Sequence, residues 1–321
     1  MTRHCQAASG PDWCQPAGAI TVANGLKRRN GRITMETLSD ILETTAFEKV
    51  AGGFVFTEGP LWHPDGFFYF TDVRDSKLFR ITLGQPHELV RTTTGGNGTT
   101  FDLQGRLINC EGDGRRVTRT ELDGRVTVLA DRFEGKRLNR PNDLICCSDG
   151  TLLFTDPSLR VPMKDREQEH AAIYRVGLDD TLTMVVPFEY PNGLALSPDE
   201  RTLYVANTRW AQYIHAIDLN AAGQATGRRI FADMSHAKTN GVPDGMKVDA
   251  AGRVFCTGTT GTWVFSPDGT LIGIIETPEV CANIAFGGPD LRTLLFTAST
   301  SVYTLRVKTP GMTHPWYTVR G

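Results

Sequence analysis

Four residues of this 321-residue chain have the chemistry to hold a hard divalent cation: the carboxylates Glu58 and Asp244 and the amides Asn142 and Asn192. Oxygen donors of this kind suit Ca²⁺ or Mg²⁺ rather than a thiolate-seeking metal. Two negative charges offset a divalent ion, and a sparse protein set leaves positions for water or a substrate oxygen. Arg140, two residues before Asn142, is placed to bind a hydroxyl or carboxylate of a ligand, with a salt bridge at a channel mouth as the alternative. No set drawn from the seven histidines has ligand spacing, and each is read as structural.

These residues are far apart in sequence, so the elements that bring them together matter. Each opens a copy of one short pattern, and the pattern occurs six times: EGPLWHPDGFFYFTD from Glu58, NGTTFDLQGRLINCE from Asn97, NDLICCSDGTLLFTD from Asn142, NGLALSPDERTLYVAN from Asn192, DGMKVDAAGRVFCTG from Asp244 and NIAFGGPDLRTLLFTAS from Asn283. Each copy has a polar opener, an alternating apolar stretch, a Gly/Asp turn and a returning stretch. That reads as a β-hairpin. A fixed element recurring roughly every 40–50 residues marks a radial repeat fold. A hairpin cannot bury its own apolar face, and closing the copies into a ring removes most sheet edges. The spacing predicts an all-β chain: a six-bladed β-propeller of four-stranded antiparallel blades, with the six openers around a central metal-binding channel. Asn-Gly and Asp-Gly are also ordinary turn formers, which would explain some openers but not Glu58, Asn142 or Asn283.

The repeats run from about residue 48 to 307, and residues 35–321 are read as a single domain. A strand near Phe47–Val50 is expected to close the ring beside Val302–Val307. Outer strands between the repeats are expected at 77–83, 116–122, 172–178, 213–219 and 262–268. The charged segment Leu159–His170 reads as a loop over one mouth, and the tail from Pro310 as loose. Asp72, Glu111 and Asp156 are expected to serve turn backbone at the hairpin end away from the openers. Residues 1–34 are acid-poor and low in apolar content, as in a disordered extension.

A net charge of −2 offers no basic footprint for nucleic acid, and no apolar run is long enough to span a membrane. Seven cysteines without framework spacing suggest reduced thiols and a cytoplasmic protein. The chain has no GxSxG elbow, Walker A loop or HExxH helix.

At EGPLW (58–62), LNRPNDL (138–144), LLFTDPS (152–158), PNGLALSPDERTLYVAN (191–207) and VPDGMKVDAAGRVF (242–255) the chain resembles the family of senescence marker protein (regucalcin), gluconolactonase and luciferin-regenerating enzyme. The resemblance implies one divalent cation in the channel, held at Glu58, Asn142, Asn192 and Asp244. Ca²⁺ is the expected ion, with Mg²⁺, Mn²⁺, Zn²⁺ or Fe²⁺ as alternatives. It implies hydrolysis of a small sugar lactone, with Arg140, Asn142 and Asn97 binding substrate. Asp244 is the candidate general base, and a hydroxide on the cation is the competing nucleophile. The bacterial and fungal gluconolactonase branch often reads CEHG where this chain has Cys110-Glu111-Gly112-Asp113, and TDPPYG where it has TDPSLR at 155–160. Both departures are expected beside the pocket and leave the sugar open. Related propellers use the same cation on phosphoesters, so a phosphotriesterase-like hydrolase is the alternative enzyme. A calcium- or ligand-binding propeller without activity is the alternative outside catalysis.

Overall fold

The computed structural model describes residues 26–29, 32–235 and 240–320. The extension expected over residues 1–34 lies mostly outside them; within it, Leu26–Arg29 and Arg32–Met35 pair as a two-stranded ladder. Six four-stranded antiparallel blades follow. Their inner strands are Thr57–His63, Gly96–Phe101, Leu144–Cys146, Pro191–Leu196, Met246–Val248 and Cys281–Gly287. The sixth blade borrows its outer strand from the start of the ring. Glu48–Gly52 pairs with Ser301–Arg306, placing Gly52 opposite Ser301 and Glu48 opposite Thr304. The expected closure is therefore the observed one. It satisfies the edge backbone of the last blade and ties the two ends of the ring together.

The alternating apolar residues fill the layers between blades. Phe54, Phe68, Phe70 and Phe79 of the first blade pack with Ala285, Leu295 and Val302 of the sixth. Ile108, Cys110 and Val117 of the second pack with Leu144, Phe154 and Tyr174 of the third. Each large apolar side chain buried in this way contributes about 1.5–3 kcal/mol. All five cysteines of the described residues are free and buried. No helix of the described residues is long and apolar enough to cross a membrane.

Backbone contact carries the ring through its centre. Hydrogen bonds cross every blade boundary close to the openers. The hydroxyls of Thr71, Thr155 and Thr257 donate to the carbonyls of Asn97, Asn192 and Ala282 in the next blade (3.1, 2.8 and 2.8 Å). The amides of Gly98 and Gly193 donate to the carbonyls of Asn142 and Asp244, and Thr57 donates to Ser299. The glycines after the openers make this approach possible. A Cβ on Gly193 would lie 2.1 Å from the Asp244 carbonyl oxygen, and one on Gly245 would lie 2.0 Å from the Asn283 side chain. The Asn-Gly and Asp-Gly pairs here serve close packing of blades rather than turns.

The tail from Pro310, expected to be loose, is ordered because its aromatic residues find an apolar surface. Gly311 bridges to Asp249, and Trp316 covers Gly105 and lies 4.6 Å from the Phe101 ring. The Tyr317 hydroxyl donates to the Trp62 carbonyl. The tail thus caps the far end of the channel over Leu61, Trp62, Val248 and Phe286. His314 anchors it: Nδ1 accepts from the Trp316 amide, which leaves Nε2 to donate to Thr100 Oγ1 at 3.1 Å.

Two outcomes are expected. Gly193→Ala forces two blades apart, and denaturant titration should show a loss in the ~1–3 kcal/mol range of an overpacked interior; an unchanged midpoint would mean the blades separate there without cost. Burial lowers the His314 pKa from 6.5 to about 4. The unfolded chain therefore binds this proton first, and the histidine's contribution is complete above pH 6.5 and lost toward pH 4. The stability gap between wild type and His314→Phe should narrow between pH 7 and pH 5, whereas a constant gap would show that His314 is not held neutral.

Candidate active site

The site is built by bulges. Where each opener sits, two residues of the inner strand oppose one on the next. The ladder shifts between Glu58 and Leu61, Gly96 and Thr99, Pro191 and Leu194, and Cys281 and Asn283. In the third blade Asn142 and Asp143 both bond to Thr155, and in the fifth Asp244 and Gly245 both bond to Thr257. A bulge re-aims the side chain it carries. Five openers, Glu58, Asn97, Asn142, Asn192 and Asp244, consequently line one cavity of about 130 Å³. Arg140 lines the same cavity, as do Phe56, Tyr190, Thr208, Arg160 and Arg209. Every residue proposed from sequence for metal, substrate or base is thus brought to one place.

The sixth opener has a different role. Asn283 is buried below the floor, where its Nδ2 donates to Glu58 Oε2 at 2.9 Å and to Asp143 Oδ2 at 3.2 Å. Its Oδ1 accepts from the Ile284 amide at 2.9 Å and from Lys247 Nζ at 3.4 Å. Asp143 directly follows the opener Asn142 in the sequence. In the structure Asp143 is a third buried carboxylate under the pocket, and the only signal for it was its place beside an opener.

The electrostatics of the floor are strained. Burial, and then the charge of Asp143, pushes the Glu58 carboxyl up to about 7. Burial, then Glu58 and Asp143, holds Asp244 well above the carboxylate range. The Oδ1 atoms of Asn97, Asn142 and Asn192 are buried without a hydrogen-bond partner, and no other unpartnered buried side-chain oxygen of the described residues lines this cavity. An orphaned buried acceptor costs ~1–3 kcal/mol. Three such oxygens beside two crowded carboxylates fit a hard divalent cation. Among the described residues no three His, Cys, Asp or Glu side chains form a metal cage; the donors here are amides together with a carboxylate pair.

Arg140 is positioned by its main chain. Asp156 accepts from the Asn139 amide at 2.7 Å and from the Arg140 amide at 2.6 Å, and burial raises its carboxyl to about 7. The guanidinium pairs with Asp113 at the rim. Asp72 likewise accepts from the Val55 and Phe56 amides. Both acids therefore serve loop backbone, but at the pocket end of the hairpin, since Asp72 lies opposite Thr57. Glu111 instead pairs with Arg91 and Arg116. The segment 159–170 does stand at the mouth, with Leu159 and Arg160 on the pocket wall.

Known proteins share this arrangement of sequence. The chain is 28% identical over 319 residues to a gluconolactonase of Zymomonas mobilis, covering 88% of this chain and 87% of that protein. It is 31% identical over 255 residues to a pentonolactonase of Haloferax volcanii, covering 75% and 81%. The solved structure of a gluconolactonase from Xanthomonas campestris superposes with a TM-score of 0.78 at 33% identity, covering 84% of this chain and 92% of that one. The signature of the SMP-30/Gluconolactonase/LRE-like region matches residues 56–300, which takes in all six openers. The chain belongs to the SMP-30/gluconolactonase/LRE-like family of propellers.

Proposed function

We propose that this chain is a metal-dependent hydrolase that opens aldonolactones, the cyclic esters formed when sugars are oxidised, to aldonic acids. One observation carries the reading: three unpartnered amide oxygens from three blades face the same pocket as the carboxylates of Glu58 and Asp244. The lactonase activities of its relatives support the same reaction class. Glu58, Asn142, Asn192 and Asp244 would hold the cation, with Ca²⁺ the ion best matched to neutral and anionic oxygens. When bound, it supplies Lewis-acid polarisation of the lactone carbonyl.

The protein's own residues do the rest. Asn283 and the Gly59 amide hold the Glu58 carboxylate in place. Arg140, clamped through Asp156, donates to substrate oxygens, and the free Asn97 amide oxygen accepts from a ring hydroxyl. Asp244 takes a proton from the water that adds to the carbonyl carbon. The ring C–O bond then breaks, and the ring oxygen leaves as a hydroxyl carrying that proton.

A pH-indicator assay on glucono-δ-lactone tests the reading. Hydrolysis with added Ca²⁺ should exceed the spontaneous rate, and chelation should remove it and lower the melting temperature, because a ligand of the folded state stabilises by mass action. Full activity in chelated protein would exclude metal dependence. Turnover of a fluorophosphate with none of the lactone would instead favour the phosphotriesterase. A second comparison separates base from ligand. Asp244→Asn should lower kcat by the ~10²–10⁴ typical of a lost general base even at saturating Ca²⁺, while excess Ca²⁺ should largely rescue Glu58→Gln. Equal behaviour of the two variants would remove Asp244 as the base.

A further inference from the structure

The rim of the pocket carries more positive charge than the lactonase reading uses. Arg140, Arg160 and Arg209 line the cation pocket. Arg140 and Arg160 also line an adjoining basin of about 550 Å³, which they share with Arg115, Arg137 and Lys164. The acids of that basin are Asp113, Asp165 and Glu167. Arg74 stands close by, over the Phe56 ring at 5.2 Å. Some of these cations are matched. Arg140 pairs with Asp113, and Arg115 is spent on the carbonyls of Leu138, Asn139 and Asp165. Glu167 takes the Arg137 amide at 2.7 Å and lies 3.7 Å from Arg132, outside the basin.

Arg160 is the exception. It sits where the two cavities meet, and among the described residues it makes no hydrogen bond or ion pair. Partial burial lowers its pKa, and the charges of Arg140 and Arg74 add to this while Asp244 and Asp113 act the other way. A divalent cation would offset the floor carboxylates Glu58 and Asp244, so their charge would not remain to balance this rim. A guanidinium without a partner, sharing its cavities with Arg140 and Arg209 and open to the substrate pocket, is a prepared site for an anion.

Resting on the lactonase reading above, we infer that the lactone this protein opens is anionic: it carries a phosphate or carboxylate at the end of the sugar away from the reacting carbonyl, and Arg160 binds that group. With the carbonyl over Glu58 and Asp244, the distal carbon of the sugar points out of the floor toward the junction of the two cavities. Arg140 and Arg209 flank that path, and the basin beyond it has room for a tetrahedral group. Arg160 sets specificity and takes no part in the bond making.

The test compares kcat/KM, with Ca²⁺ present, for glucono-δ-lactone, its 6-phosphate and the lactone with a carboxylate at carbon 6. At least one anionic lactone should be preferred by tenfold or more, and the better of the two identifies the group. The preference should shrink at about 1 M salt, where charges are screened beyond about 3 Å. Arg160→Gln should cost the preferred anionic lactone ~10–100-fold, the worth of a charged hydrogen bond. That loss should exceed the loss on the neutral lactone by at least tenfold and should fall mainly on KM. Arg160→Lys should recover part of it. Arg160 is exposed, and matching melting temperatures would establish that the variants fold. Hydrolysis of the neutral lactone with no anionic preference, or equal losses on both in Arg160→Gln, overturns this inference and leaves the lactonase reading standing. Hydrolysis of none of the three overturns the lactonase reading itself.

Discussion

Backbone touches backbone at the centre of the ring, and the pocket depends on that contact. Each blade reaches its neighbour through a threonine or a glycine amide that bonds a carbonyl of the adjoining blade close to an opener. These bonds set the spacing of the openers more tightly than apolar layers could, because a hydrogen bond tolerates only a few tenths of an ångström. The small residue after the opener is the condition for it. Four of the openers are followed by glycine, and at Gly193 and Gly245 any side chain would strike the next blade. Where blades three and six have Asp143 and Ile284 instead, the side chain has been found a place below the floor.

That geometry brings together groups that repel. Glu58, Asp143 and Asp244 crowd one floor: Asp143 raises the proton affinity of Glu58, and Glu58 and Asp143 raise that of Asp244. Folding alone gains nothing from this, since buried like charges and unpartnered amide oxygens both cost free energy. The ring tolerates it because the cost is local and the interblade layers are large. Asn283 moderates it by donating one amide to two carboxylates while Lys247 approaches from the same side. Strain of this kind at one spot in an otherwise satisfied ring is the usual mark of a functional centre.

The two ends of the channel are treated differently. At one end the C-terminal residues line an apolar mouth, and at the other the 159–170 segment stands beside a polar mouth with Arg140 and Arg160. A substrate that enters by the polar mouth meets the charged rim before it meets the carboxylates. The openers stand on or just before the inner strands, while Arg160 and Arg209 stand on loops between second and third strands. Loops of this kind can change without disturbing the strands that hold the floor.

Much of this was legible in the order of residues. The alternation of apolar positions is a local signal, so hairpins and their repeat could be read directly, and a ring with six equivalent openers followed. The closing strand at Glu48–Gly52 was legible for the same reason, because an unpaired alternating segment before the first blade needs an edge. Glu58, Asn97, Asn142, Asn192 and Asp244 shared a phase, and phase became position. What the tertiary structure alone decided involves atoms brought together across the ring. It turned Asn283 from a sixth lining residue into a buried donor, made Asp156 the clamp on Arg140, and left three amide oxygens without partners. It also folded the tail onto the channel and set Arg160 without a partner at the junction of two cavities. No periodicity encodes these, since they depend on which loop lies over which strand and on bulges that turn a side chain from one face to another.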